Sequence, residues 1–460
     1  MNEKAKYSLA LTSLFGAFVF LQFTVLGLAN HAGEGYLTTA QRDKVYYTLQ
    51  IFVILGYVLY SLFTHFVQGK HNQKPIAYTV CCLFPVCFIL LSVTGRDSLF
   101  YVIISMVSAF FLGTFGGAAH LRMSIEAVEK ADVARCMGLG SSAAVMLQYL
   151  LQIRWGISPF LPVIMLAAYV LFLLLLWRHD SEIGIERDVR TSSVEQSQIL
   201  FAAVIASVFI LFACFYNETI HHLMVRSGYT SVNVYSWPRL MMVPVYLLFA
   251  VIGDREDGKY VPIVSLCIML IALLNVVLVG NSGAYWLNMC FFYVIVAAYT
   301  CYYLLTFWHL AQGTKYPALW APFGRVLDST IVLITGAVHL SIFSPPVVLG
   351  AEIVGIALVI VMMAINGNFN LVKSPVSSEA LRVLSQEETL ERMRVDYDLT
   401  RREVEVLREL ICTEDKQIVI SERLHIKVKT LQDYVTKLYR KTGTNTRSGL
   451  TDLYHKTMNK

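Results

Sequence analysis

The chain has 460 residues, 56% of them hydrophobic and only 15% charged, with a formal net charge of +5. That composition excludes a string of soluble domains and points to a multispanning membrane protein, in which length counts helices. The charge is unevenly placed, because residues 373–460 hold 17 of the 37 Lys and Arg side chains.

Crossing the core of a bilayer takes about 20 apolar residues in helical form. Such runs lie near 8–29, 46–67, 76–94, 99–120, 135–152, 160–177, 198–216, 239–253, 260–279, 285–308, 326–343 and 347–365, which predicts twelve spans. The first follows Lys4 and Lys6 and lacks a small-residue cleavage site, so it reads as an uncleaved helix. Positively charged loops stay in the cytoplasm. With the N-terminus inside, 14 Lys and Arg residues, Lys4 through Arg325, fall on the cytoplasmic side, against six opposite, Arg42 through Arg239. Twelve spans then return the C-terminus to the cytoplasm. Most of the nine cysteines sit in apolar runs and none forms a CxxC pair, so they read as buried free thiols.

The polar stretch from Arg178 to Gln198 follows the sixth span and divides the body into six plus six. Between spans eight and nine, Gly253-Asp254-Arg255-Glu256-Asp257-Gly258-Lys259 resembles the cytoplasmic G-x-x-x-D-R-x-G-R-K signature of the major facilitator superfamily with one residue inserted. The loop after span two keeps only Gly69-Lys70. Asp254 and Arg255 are expected to latch neighbouring helix ends, and Gly258 to allow a tight turn. The other reading is a generic charged loop.

Ionisable groups inside spans are costly and therefore candidates for function. Glu352 and His339 fall at similar outward depth and either pair, contact a ligand, or sit at headgroup level in water. Gln148 and Gln152 share a face of span five. Together with Gln22, Asn275 and Asn288 they serve either as interhelical hydrogen-bond glue or as ligand contacts. Span ten carries Tyr293, Tyr299, Tyr302, Tyr303 and Trp308, which line a cavity, pack, or form an interfacial belt. His221 and His222 with Glu218 read as a metal or pH site or as a plain solvated loop. A strong central carboxylate or arginine would favour a transporter, and the sequence places none there. The chain shows no paired carboxylates, nucleophile elbow, P-loop or metalloenzyme spacing, so catalysis, a metal and a cofactor are not expected.

Past Asn366 the solvent changes. Residues 1–366 form the membrane domain, 367–395 a linker with a short helix, and 396–460 a charged domain. Leu381, Leu384, Leu390 and Met393 of the linker dock on the body, on the tail domain or on a second copy, or else serve as a plain tether. Thr400-Arg401-Arg402-Glu403 is a capping box. It opens a helix to about Ile411, followed by helices over about 416–424 and 428–442, a stop at Gly443, and a last helix carrying Leu450 and Leu453. From Lys416 to Arg447 there are eight basic residues against two acidic ones, a local positive face suited to phosphate and less suited to a protein partner.

Residues 398–456 resemble the LuxR-type helix-turn-helix family. Leu399-Thr400-Arg401-Arg402-Glu403-Val404-Glu405-Val406-Leu407 is close to its L-T-x-R-E-x-E-V-L, and Glu422-Arg423-Leu424-His425-Ile426, Lys429-Thr430-Leu431, Lys441 and Arg447 fall at its later positions. Lys427, Tyr434 and Lys437 depart from the pattern, and the turn before the second helix is one residue longer and lacks the usual Gly. The resemblance implies that Lys429, Thr430, Gln432, Asp433, Thr436 and Lys437 face the major groove. It assigns Lys427, Arg440, Lys441 and Arg447 to phosphates, and the last helix to a homodimer on double-stranded DNA.

The expected fold is thus all-α: a twelve-helix, six-plus-six, major-facilitator-like body followed by a four-helix LuxR-type domain. The expected function is a membrane-bound one-component transcriptional regulator whose body senses an unknown small-molecule ligand or the membrane itself. Candidate ligand or gating residues are Gln148, Gln152, His339, Glu352, Asp254 and Arg255. The alternative is a solute transporter with a regulatory C-terminal domain.

Overall fold

The computed structural model describes residues 3–33, 35–66, 70–127, 132–154, 160–178, 196–226, 236–279, 285–338, 340–365, 389–412 and 417–458. Among these, every regular element is helical, and the chain divides into two compact units, Met1–Ser374 and Pro375–Lys460.

The first unit is built from twelve rods among the described residues. α1 (Glu3–Ala29), α2 (Thr39–Phe66), α3 (Lys70–Val93), α4 (Leu99–Arg122), α5 (Val133–Gln148) and α6 (Leu161–Arg178) form the first half. α7 (Gln196–Arg226), α8 (Met242–Ile252), α9 (Val261–Val279), α10 (Tyr285–Gln312), α11 (Phe323–Val338) and α12 (Pro345–Ile365) form the second. α4 and α5 continue as wider turns over Met123–Ala127 and Tyr149–Arg154, and a tighter turn, Trp237–Met241, leads into α8. Each rod falls on one span expected from hydropathy.

The packing repeats with a period of six helices. α1 packs on α5 and α6, α2 on α4, and α3 on α4 and α6. Raising every number by six recovers α7 on α11 and α12, α8 on α10, and α9 on α10 and α12. The halves meet where α2 touches α11 and α5 touches α8, the arrangement of a body made from two structural repeats. α1, α2, α4, α7, α10 and α12 are long and apolar enough to cross a membrane, and α3, α6, α8 and α9 hold shorter apolar stretches. That leaves α5 and α11, equivalent members of the two halves, which carry Ser141, Ser142 and Gln148 or Arg325, Asp328 and Ser329. Both take part in the seam, where neighbouring helices can satisfy polar groups that lipid cannot. α2 and α4 approach closely at Gly56 and Gly113, since a Cβ on Gly113 would lie 2.2 Å from the Val53 carbonyl. Outward faces are apolar, with Leu174, Leu200 and Val354 each more than half exposed, as suits a surface bathed in acyl chains.

The second unit contains α13 (Arg401–Cys412), α14 (Gln417–Arg423), α15 (Val428–Thr442) and α16 (Arg447–Met458). Its core joins Val406, Leu407 and Leu410 with Ile420, Leu431, Val435, Leu438, Leu450 and Tyr454. Leu390 and Met393, in a helical stretch over 389–396, are buried in the same cluster. The end of the linker therefore docks on the tail domain; Leu381 and Leu384 lie outside the described residues. The capping box forms as spaced: the Thr400 backbone N–H donates to Glu403 Oε2 at 2.8 Å, and the Glu403 N–H to Thr400 Oγ1 at 3.3 Å. α15 ends at Gly443, whose φ of 68° is left-handed. His425 takes φ 53°, and the His425 and Ile426 N–H groups bond the Glu422 and Ser421 carbonyls, closing α14 in a Schellman turn without glycine.

Candidate functional sites

α15 has one face in the core, Leu431, Val435, Leu438 and Thr442. The opposite face exposes Lys429, Thr430, Gln432, Asp433, Thr436, Lys437 and Arg440, with Lys427 exposed at the N-cap. The Lys427 side chain, which has no acceptor atom, makes no capping bond to the start of α15. Thr436 donates to the Gln432 carbonyl at 2.8 Å, and Lys437 Nζ lies 5.9 Å from the centre of the Tyr434 ring.

Two residues expected on phosphates also bond within the domain. Lys441 Nζ donates to Glu403 Oε2 at 2.8 Å and to the Asp398 carbonyl at 2.7 Å, while Arg447 Nε donates to the Leu410 carbonyl at 2.8 Å. Arg423 pairs with Glu409 at 2.6 Å. On α15 and at its N-cap the exposed basic residues are Lys427, Lys429, Lys437 and Arg440; Lys416 lies outside the described residues. Burial pushes the Glu403 carboxyl up, but the bonds from Lys441 and Thr400 outweigh this and hold it below the usual carboxylate range. A depressed folded-state pKa contributes stability that is present above the unfolded value and lost as pH falls through the folded one. Lys441→Ala should thus cost about 1.5 to 3 kcal/mol of local stability, the worth of a hydrogen bond to a charged group. Amide exchange over 401–412 in the full-length protein reads it: wild type should lose protection below the usual carboxylate range, and Lys441→Ala already at neutral pH. Equal protection in the two proteins at neutral pH would refute the internal role.

In the body, Asp254 in the loop after α8 bonds the start of a neighbouring helix. Asp254 Oδ1 and Oδ2 accept the Ala134 and Arg135 N–H groups at 2.7 and 2.9 Å, anchoring the N-terminus of α5, the first-half helix that packs on α8. Burial pushes the Asp254 carboxyl up against those two bonds. Gly258 takes φ 79°, and Arg255 lines a surface cleft of about 450 Å³ with Asp132, Arg135 and Asp254. Gln148 is fully buried and donates to the Phe23 carbonyl at 2.9 Å, an interhelical tie. His339 and the Gln152 side chain lie outside the described residues. Glu352 is 1% exposed, buried within the body.

The second half also holds a polar triangle. Tyr216 donates to Asn288 Oδ1 at 3.0 Å, and Asn275 Nδ2 donates to Tyr216 at 3.3 Å and to Asn288 at 2.9 Å. His222 lies 3.8 Å from Glu218 on α7, and no group of three or more metal ligands occurs among the described residues.

Sequence reasoning missed a charged centre at the seam. Arg325, counted above as a loop charge, sits on α11, where Nη1 bonds Asp328 Oδ2 at 2.6 Å and the Tyr303 hydroxyl at 3.0 Å. Ser329 donates to Gln50 of α2 at 2.9 Å. Nearby on the same two faces, Trp308 Nε1 donates to His120 Nδ1 at 3.1 Å, and the His120 and Tyr57 rings lie 5.9 Å apart. The span-ten aromatics are thus buried and partly polar-bonded and do not form a belt. The available signal was the i, i+3 spacing of Arg325 and Asp328 at the edge of an apolar run.

A twelve-rod, two-repeat helical body and a helix-turn-helix unit define a multi-pass membrane protein with a DNA-binding domain. The body is similar to the crystal structure of the human organic anion transporter MFSD10 (TETRAN), with a TM-score of 0.50 at 12% identity, over 81% of this chain and 100% of that one. Residues 398–454 match the bacterial regulatory proteins of the luxR family, so the second unit is a LuxR-family domain and supports transcription regulation. No curated protein matches the sequence significantly.

Proposed function

We propose that the protein is a one-component transcription regulator held in a bacterial cytoplasmic membrane, with both termini in the cytoplasm and the body acting as sensor. The α15 face carries this reading: exposed Lys427, Lys429, Gln432, Lys437 and Arg440 on a helix whose other side is locked in a core. Phosphate oxygens seat at the uncapped start of α15 beside Lys427, with Arg440 on the backbone further along. Lys429, Thr430, Gln432, Asp433, Thr436 and Lys437 lie in the major groove, where an amide such as that of Gln432 reads a base edge. Two copies, paired through α16, bind two half-sites. Sensing requires a ligand or membrane state that favours one of two body conformations.

One observation favours the alternative, a transporter with a regulatory tail. The Arg325–Asp328 pair sits on α11 at the seam that two rocking halves would open and close.

Mapping DNA contacts of the intact protein across a genome tests the main reading: discrete promoter sites are expected, and an unenriched map would sink it. The membrane body should also pair the tail domains. Full-length protein in lipid should bind two half-sites more tightly than fragment 375–460, because tethering raises effective concentration. Inserting about five base pairs, half a helical turn, between the half-sites should remove that advantage. If fragment and intact protein respond alike on both DNAs, pairing by the body is wrong.

A further inference from the structure

Val348, Glu352, Ile356, Val359 and Met363 form the buried stripe of α12, at the spacing of one helical face. Ile353, Val354, Leu358 and Val361 form the exposed apolar one. Glu352 thus occupies a position where the pattern calls for an aliphatic residue. Both its carboxyl oxygens are buried without a hydrogen-bond partner, and no cation pairs with it among the described residues. α12 packs on α7 and α9, within the second half and off the seam.

The neighbouring polar groups do not solve the problem. Tyr216 of α7 lies in electrostatic reach of Glu352, but its proton goes to Asn288, and both Asn275 Nδ2 hydrogens go to Tyr216 and Asn288. Among the described residues, the titratable groups around the carboxyl are Tyr216 and, beyond it, Cys290 of α10; α9 brings Asn275 and no charge. Glu218 and His222, further out on α7, face each other. An ionised carboxylate left alone in such a place carries a desolvation penalty that a single positive charge offsets.

We propose that Glu352 is a cation-binding carboxyl of the body, taking up a proton or, in its place, a small monovalent cation, and that its occupancy sets how α12 packs on α7 and α9. The output through the DNA-binding domain rests on the sensor reading above; the site itself does not.

The test uses full-length protein in lipid nanodiscs and dicyclohexylcarbodiimide, which reacts with protonated carboxyls in apolar surroundings, with the adduct mapped by mass spectrometry. Glu352 should be labelled at low pH, lose about tenfold of its yield per pH unit above its midpoint, and show no adduct in Glu352→Gln. Protection by sodium over choline at fixed pH identifies a cation site, whereas dependence on pH alone identifies a proton. Melting temperature gives a second reading: wild-type stability should vary with pH or sodium, and Glu352→Leu, which completes the stripe, should abolish that variation. Labelling independent of pH and sodium, or stability profiles identical in wild type and Glu352→Leu, would overturn the proposal. Titrating labels with unchanged promoter occupancy in Glu352→Gln would keep the site and refute sensing through it.

Discussion

Replacing Asp328 with alanine is expected to destabilise the membrane body by about 3 to 5 kcal/mol, the cost of leaving one member of a buried ion pair alone. Both side chains are mostly enclosed, 16% exposed for Arg325 and 10% for Asp328. The Tyr303 hydroxyl that remains on Arg325 supplies a dipole and no countercharge. Removing both charges should be far milder, since a buried pair replaced by apolar groups of similar volume is often neutral. Arg325→Met with Asp328→Leu should therefore melt near wild type in detergent, and Asp328→Ala well below it. Should Asp328→Ala melt with wild type, the pair does not hold the seam.

On DNA, the largest expected effect separates the exposed basic residues from the internally bonded ones. Each phosphate contact contributes a slope of about −0.9 to the fall of log affinity with log salt, so losing the Lys427 and Arg440 contacts together removes about 1.8. Over a fourfold rise in salt the double alanine variant should lose roughly 12-fold less affinity than wild type. Gln432→Ala should keep the slope and change preference among operator variants by about 1 to 3 kcal/mol. Arg447→Ala should keep the slope too, because its guanidinium is bonded to the Leu410 carbonyl. A slope unchanged by the Lys427 and Arg440 replacements, or reduced by Arg447→Ala, would reverse the assignment.

The difference between Arg440 and Arg447 shows where sequence reading runs out. Both are basic residues in the helix-turn-helix unit, and charge counting treats them alike. Only the fold brings Arg447 against a carbonyl 37 residues away and Lys441 against a carboxylate 38 residues away. The body repeats the lesson. A hydropathy window starts span eleven at residue 326 and leaves Arg325 in a loop, but α11 starts at Phe323, because Arg325 has Asp328 and Tyr303 to receive it. Glu352 shows the converse, a carboxyl one turn inside an apolar run that is buried among helices.

What the sequence determined by itself is local. Most rods of the body were legible because a long apolar run declares itself without reference to any other segment, six of them meeting the bilayer condition outright. The capping box and the stop at Gly443 were legible because each needs only residues three or four apart or a single φ. The tertiary structure alone decided which polar side chains remain free. His120 finds Trp308 at a separation of 188 residues, Ser329 finds Gln50 at 279, and Lys441 finds Glu403 at 38. A hydrogen bond or ion pair depends on a few ångströms of space, and chain order does not encode that distance until the helices have packed.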